Sequence, residues 1–214
     1  MSELSAHEVL TTTRTVRRRL DLDRPVDLDL VKQALTTALQ APSASNAQTW
    51  RFLVVTDADK RAAIGEYYRR AHEEYANSPA AAGKLSTGDE ARDRQQARVR
   101  DSSHHLAETM GRVPVLVIPA VQASTAELPA GNQSALWGSI LPAAWSYMLA
   151  ARSLGLAAAW TTLHLRYERE VAELLGLPDT VHQAALIPTA HHTGTGFKPA
   201  KRPPVEEVLH LNGW

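Results

Sequence analysis

The chain has 214 residues, 44% of them hydrophobic and 21% charged, which suits one globular domain with a sizeable core. Its 23 basic and 23 acidic side chains balance, so no global charge draws it to nucleic acid or to an acidic membrane. The absence of cysteine excludes disulfides, thiolate catalysis, zinc–thiolate centres and cysteine-ligated iron–sulfur clusters.

No apolar stretch of signal-peptide length occurs in the first thirty residues. No later window reaches the roughly 18 apolar residues that span a bilayer, so a cytoplasmic location is expected. Ser5-Ala6-His7-Glu8 is a capping box and predicts a short helix ending near Arg14. Arg14, Arg17, Arg18 and Arg19 then crowd together. After a connector with Pro25, Leu28, Val31, Leu35 and Leu39 recur at helical spacing up to Pro42, with Asp27 as the cap. A polar loop, Ser43 to Thr49, leads into the strand-like run Trp50 to Thr56. Residues 59–106 are long and polar, with a break between Asn77 and Gly88 that holds Pro79 and Gly83. That stretch fits either a solvated helical excursion or a mobile cover over a site.

Val113 to Val121 predicts a buried strand, with Pro114 and Pro119 near its ends. Leu136 to Leu154 is apolar on most faces and predicts a central helix, kinked at Pro142 and stopped by Gly155. A short strand (Ala157 to Leu163), an amphipathic helix (Glu168 to Leu175, ended by Gly176 and Pro178) and a last core strand (Ala184 to Thr189) follow. Val205 to Leu211 fits strand or helix. Strands separated by helices without strict alternation predict a single α+β domain, its mixed sheet covered by helices on both faces.

Three stretches carry candidate chemistry. In Arg14-Thr15-Val16-Arg17-Arg18-Arg19, guanidinium forks and a hydroxyl suit phosphate oxygens, although basic turns are commonly just solvated. In Ala41-Pro42-Ser43-Ala44-Ser45-Asn46-Ala47-Gln48-Thr49-Trp50, small residues allow close approach to a ligand, and Ser43, Asn46 and Gln48 can read the edge of a planar heterocycle. The same residues fit a loop held by its own side-chain-to-backbone bonds. In the tail from Lys198 to Val208, cations sit beside prolines that keep the chain extended. His104-His105 and His191-His192 lack the spacing of a metal site. Thr193-Gly194-Thr195-Gly196 lacks that of a phosphate loop and reads as a flexible turn.

Taken together and in this order, the three stretches resemble the nitroreductase family of flavoproteins, whose motifs are Arg-Ser-Val-Arg, Ala-Pro-Ser…Asn…Gln-Pro-Trp, and a closing Arg-Lys-Pro or Arg-Pro-Pro. The resemblance implies a three-layer α-β-α sandwich with a mostly antiparallel sheet. It also implies FMN held between the chains of a homodimer, the tail from about residue 197 embracing the partner. Arg14, Thr15 and Arg202 would meet the phosphate or ribityl chain. Arg17 would lie near N1 and the C2 carbonyl of the isoalloxazine, stabilising the charge that reduction places there. Pro42, Ser43 and Ala44 would line the cofactor, Asn46 and Gln48 would reach it from the loop, and Trp160, Thr161 and Thr162 would lie against the ring.

The implied activity is NAD(P)H-dependent reduction of nitroaromatics, quinones or similar acceptors by a ping-pong scheme. Same-fold dehydrogenation or reductive dehalogenation, and flavin holding without turnover, are the alternatives. The sequence departs from the family at Thr13, Thr49 and Ala190-His191-His192, where an arginine, a proline and a glycine are common.

Overall fold

In the computed structural model, residues 4–84 and 88–214 are described. The capping box forms as read: Ser5 Oγ accepts from the Glu8 N–H, Glu8 takes the Ser5 N–H at 2.8 Å, and helix α1 spans Ala6–Thr12. Helix α2 (Leu28–Ala38) starts on Asp27 but buries Val31, Ala34 and Ala38, leaving Leu28 and Leu39 exposed. Those small buried residues let it lie against α5 (Ser134–Ser153), which runs through Pro142 and buries Ala144, Tyr147, Met148 and Ala151.

The sheet comprises β1 (Trp50–Val55), β2 (Val115–Gln122), β3 (Leu156–Ala158), β4 (Val181–Gln183) and β5 (Ile187–His191). Its order is β1-β2-β5-β3 with β4 also on β2, and each described pairing is antiparallel. Strand β2 is apolar without alternation because both its faces are covered. Leu116 and Ile118 pack with residues of α3 (Ala58–Asn77), α4 (Glu90–Thr109) and α6 (Glu168–Leu175), whereas Val115 and Val117 pack with α2 and α5. The result is a three-layer α+β sandwich. No described helix is long and apolar enough to cross a membrane.

Two boundaries differ from expectation, and both lie at prolines. Strand β3 stops at Ala158, because Ala159 donates to the carbonyl of Pro188, which has no N–H to return the bond. Beyond an isolated bridge from Thr161 to Leu186, the residues Leu163–Tyr167 form a 3-10 turn. The strand expected from Ala184 begins only at Ile187 as β5, with a separate short β4 before it; opposite Pro119 the pairing with β2 shifts by one residue, as at a bulge. Of Val205–Leu211, only Val205–Glu207 is regular, as a 3-10 turn.

The polar stretch 59–106 is two unlike helices. Helix α3 is a core element that buries Ile64, Tyr68, Ala71 and His72, while α4 buries only Leu106 and Ala107. The break between them falls where it was read, although residues 85–87 lie outside the described residues.

Candidate functional site

The chain from Thr13 to Asp21 runs along the end of the sheet. Val16 N–H donates to the Ala158 carbonyl at 2.9 Å and Asp21 N–H to the His191 carbonyl at 2.8 Å. Val16 and Leu20 are thereby buried, and the arginines around them face a cleft of about 740 Å3. Arg14, Arg17, Arg18 and Arg19 line it together with Arg98 of α4 and Lys201 of the tail. A smaller hollow beside it is lined by the same arginines and by Phe197 and Lys198.

Neutral groups hold three of these guanidiniums. Arg14 donates to the Lys198 carbonyl at 2.9 Å, and Arg17 to Ser102 Oγ at 3.4 Å. Arg19 clamps the 193–196 turn, donating to the carbonyls of Thr193 at 2.7 Å and Gly196 at 3.1 Å, and to that of Thr195. The single acidic residue on the wall, Asp101, is bridged by Arg100 at 3.1 Å. The cleft is therefore a concentration of positive charge with no carboxylate bound to its cations among the described residues. Burial pushes the Arg17 pKa down, with Tyr68 and Tyr75 opposing, so an anion arriving there would restore what desolvation removes.

Thr15 and the 160–162 segment meet at this end of the sheet. The Trp160 N–H faces Thr15 Oγ1 at 3.5 Å, and Thr161 Oγ1 pairs with Tyr68 OH at 3.1 Å. Thr162 is exposed at the start of the 3-10 turn. Arg202 is placed differently from the other expected phosphate contacts, Arg14 and Thr15. It is absent from the cleft wall, where Lys201 stands instead, and among the described residues its guanidinium donates to the Lys201 carbonyl at 3.4 Å. Prolines 203 and 204 hold the tail extended there, so adjacent side chains diverge.

The loop of Pro42, Ser43, Ala44, Asn46 and Gln48 lies elsewhere in the chain. Its Ala44 N–H donates to Ser139 Oγ near the start of α5 at 3.0 Å. At the other end of α5, Arg152 covers one side of the Phe197 ring at 4.9 Å, with Arg19 also over that ring at 4.3 Å. From Ser139 to Arg152 the helix climbs about 20 Å. The loop is bound to its own shape: Ser43 Oγ accepts from the Gln48 N–H at 3.2 Å, and Asn46 Oδ1 from the Gln48 amide at 2.9 Å. Ser45, Asn46 and Gln48 have φ of 52°, 53° and 51°, a left-handed conformation costing on the order of 1–3 kcal/mol per residue. Pro42, Ala44, Asn46 and Gln48 are nonetheless exposed.

The cleft fits a flavin mononucleotide in charge and size. Its unneutralised guanidiniums and the Thr15 hydroxyl suit a phosphate, and its volume falls in the ordinary range of cofactor pockets. The sequence reading missed its α4 wall, on which Gln95, Arg98, Val99 and Ser102 share one helical face. In a helix polar on nearly every side, that face has no contrast to mark it. No cluster of three or more potential metal ligands occurs among the described residues.

Comparison with known proteins identifies the family and the fold. The model of the Nitroreductase family matches residues 10–191. An NADH dehydrogenase of Thermus thermophilus is 31% identical over 221 residues, covering 96% of this chain and 95% of that protein. Iodotyrosine deiodinase, solved with FMN and 3-iodo-L-tyrosine, superposes with a TM-score of 0.74 at 20% identity, covering 97% and 99% of the two chains. The FMN and NADPH-dependent nitroreductase NfnB from sphigopyxis sp. strain HMH gives 0.69 at 21% identity, covering 99% and 100%. At such identities these structures establish the fold alone.

Proposed function

The chain belongs to the nitroreductase family, and from that premise we propose that it is an FMN-dependent oxidoreductase acting as a homodimer. Its donor is NAD(P)H, and its acceptors are nitroaromatics, quinones or similar electron-poor compounds. When bound, FMN supplies the redox chemistry, and the protein supplies binding, orientation and charge.

The observation that carries this reading is the convergence of Arg14, Thr15, Arg17 and Lys201 on one cleft, with no carboxylate bound to these cations among the described residues. Arg14 and Thr15 hold the phosphate end. Arg17, aimed by Ser102, keeps a positive charge where reduction makes the ring negative. Trp160 and Thr161 support the ring's edge, and the tail at Lys201 closes the cleft.

A second copy completes the site. Leu141 and Trp145 are 37% and 40% exposed one turn apart on α5, and the tail beyond residue 200 exposes Val205, Val208, Leu209, Leu211 and Trp214. Both surfaces suit burial by a partner subunit, whose own 42–48 loop would reach the cleft that the same chain's loop does not.

Visible absorbance after purification and an FMN titration test the reading, followed by anaerobic mixing with NADPH or NADH. Bound flavin that bleaches and then reduces a nitro or quinone acceptor supports it; a colourless protein that takes up no FMN sinks it. One contact favours a second reading, flavin holding without turnover: α4 already stands against Arg17 through Ser102. That version predicts bound flavin which neither nucleotide bleaches. Rapid bleaching without turnover of either acceptor class would point instead to dehydrogenation or reductive dehalogenation.

A further inference from the structure

We propose that the α4 wall recognises an anionic group on the ligand that stacks against the flavin, with Arg98 as the specificity-determining residue. The inference rests on the flavin reading above and names the class of compound the site prefers: one carrying a carboxylate or phosphate beside its reactive ring.

The argument begins with charge. Six cationic side chains line the cleft, and Arg19 has its donors engaged by three carbonyls of the 193–196 turn. A phosphate monoester carries roughly −1.5 to −2, enough to balance about two of the remaining cations. Arg14, bonded to Lys198, stands at the tail side with Lys201, where the phosphate reading places that group. Arg17 is assigned to the ring, which leaves Arg18 on the N-terminal segment and Arg98 on α4 as the excess.

Two other arginines of α4 are neutralised on the helix itself, Arg94 by Glu90 at 3.0 Å and Arg100 by Asp101 at 3.1 Å, and Arg92 does not line the cleft. Arg98 is exposed, faces the cleft, and makes no ion pair or hydrogen bond among the described residues. One turn on from it, Ser102 receives the Arg17 guanidinium, and one turn before it Gln95 adds an amide donor to the same face. Arg98 is thus placed on the Arg17 side of the cleft. A guanidinium is a rigid fork of donors matched to the paired oxygens of a carboxylate or phosphate.

Two sources would present that chemistry, an acidic substituent on the electron acceptor and the 2′-phosphate of NADPH. Both are read by titrating FMN-loaded protein without turnover, following the flavin absorbance. The probe pairs are 4-nitrobenzoate against nitrobenzene, and NADP+ against NAD+. Wild type should bind the more anionic member of at least one pair more tightly. In Arg98→Gln that advantage should fall roughly tenfold, the loss of one charge-assisted pair, and Arg98→Lys should restore part of it. A change confined to the first pair assigns the site to the acceptor, and one confined to the second assigns it to the nucleotide. If both advantages are unchanged in Arg98→Gln, the inference is wrong while the flavin reading stands. If wild type takes up no FMN, the flavin reading fails and the inference with it. Because Arg98 is exposed and glutamine is a good helix former, the variant should fold.

Discussion

Arg17 is half buried, so its charge is held against desolvation by little more than a 3.4 Å contact to Ser102. A flavin that grows negative on reduction gains from such a group. Arg17→Gln should therefore weaken FMN binding and move the flavin midpoint to more negative potential, on the order of tens of mV. Spectroelectrochemistry checks this, and an unmoved potential would place Arg17 away from the ring. A different residue governs acid stability. His164 is fully buried, neither ring nitrogen having a well-aligned partner, and burial pushes its pKa down to about 3, with Gln183 weakly opposing. In the unfolded chain the imidazole titrates near 6.5, so on acidification that state takes up a proton which the fold refuses. Stability from this group is complete above the unfolded value and is lost as pH falls toward 3. Between about pH 7.5 and pH 5 the loss should be about 2 kcal/mol in urea titrations, and His164→Leu should flatten it. At this scale the motifs pointed to Arg14, Thr15 and Arg17, which the fold brings to one cleft. Phe197 and Arg98 were hidden, because one acts only as a ring gathering Arg19 and Arg152, and the other is one arginine among several on a polar helix.

Among the elements, the pairing of α3 with the turn that ends α4 depends on two glycines. A Cβ on Gly65 would stand 2.6 Å from Gly111 N and 2.7 Å from its Cα, both backbone atoms that move only with the helix. Gly65→Ala should cost about 1–3 kcal/mol and lower the thermal midpoint by several degrees; an unchanged midpoint would contradict the close approach. Helix starts were legible because their signals are local, as at Ser5 and Glu8 or at Asp27. So was the end of α6 at left-handed Gly176, whose φ is 68°. The limits of β3, β4 and β5 were not. They depend on which carbonyls Pro119 and Pro188 present to neighbouring strands, a matter of register that periodicity does not carry. The core role of α3 was likewise masked, because its buried Tyr68 and His72 sit amid charged residues.

For the whole molecule, the α+β class with helices on both faces followed from strands separated by helices, whereas the mostly antiparallel sheet and the division of the site between chains came from the family resemblance. The fold adds a physical reason: the 42–48 loop is docked at Ser139, about 20 Å along α5 from Arg152 and the arginines beside it. If Leu141 and Trp145 are covered by a partner, Trp145→Asp should give a monomer by sedimentation and a large loss of FMN affinity together. The central claim, a flavin gripped by the arginines of one chain and the loop of the other, is tested most directly by mixing two defective proteins. One carries Arg14→Gln and Arg17→Gln, the other Asn46→Ala and Gln48→Ala, and each alone should bind FMN poorly. After subunit exchange, tight FMN binding should return at about a quarter of the sites, because each mixed dimer rebuilds one intact pair of half-sites. No recovery after verified exchange, or a loop variant that binds FMN as wild type does, would contradict the account.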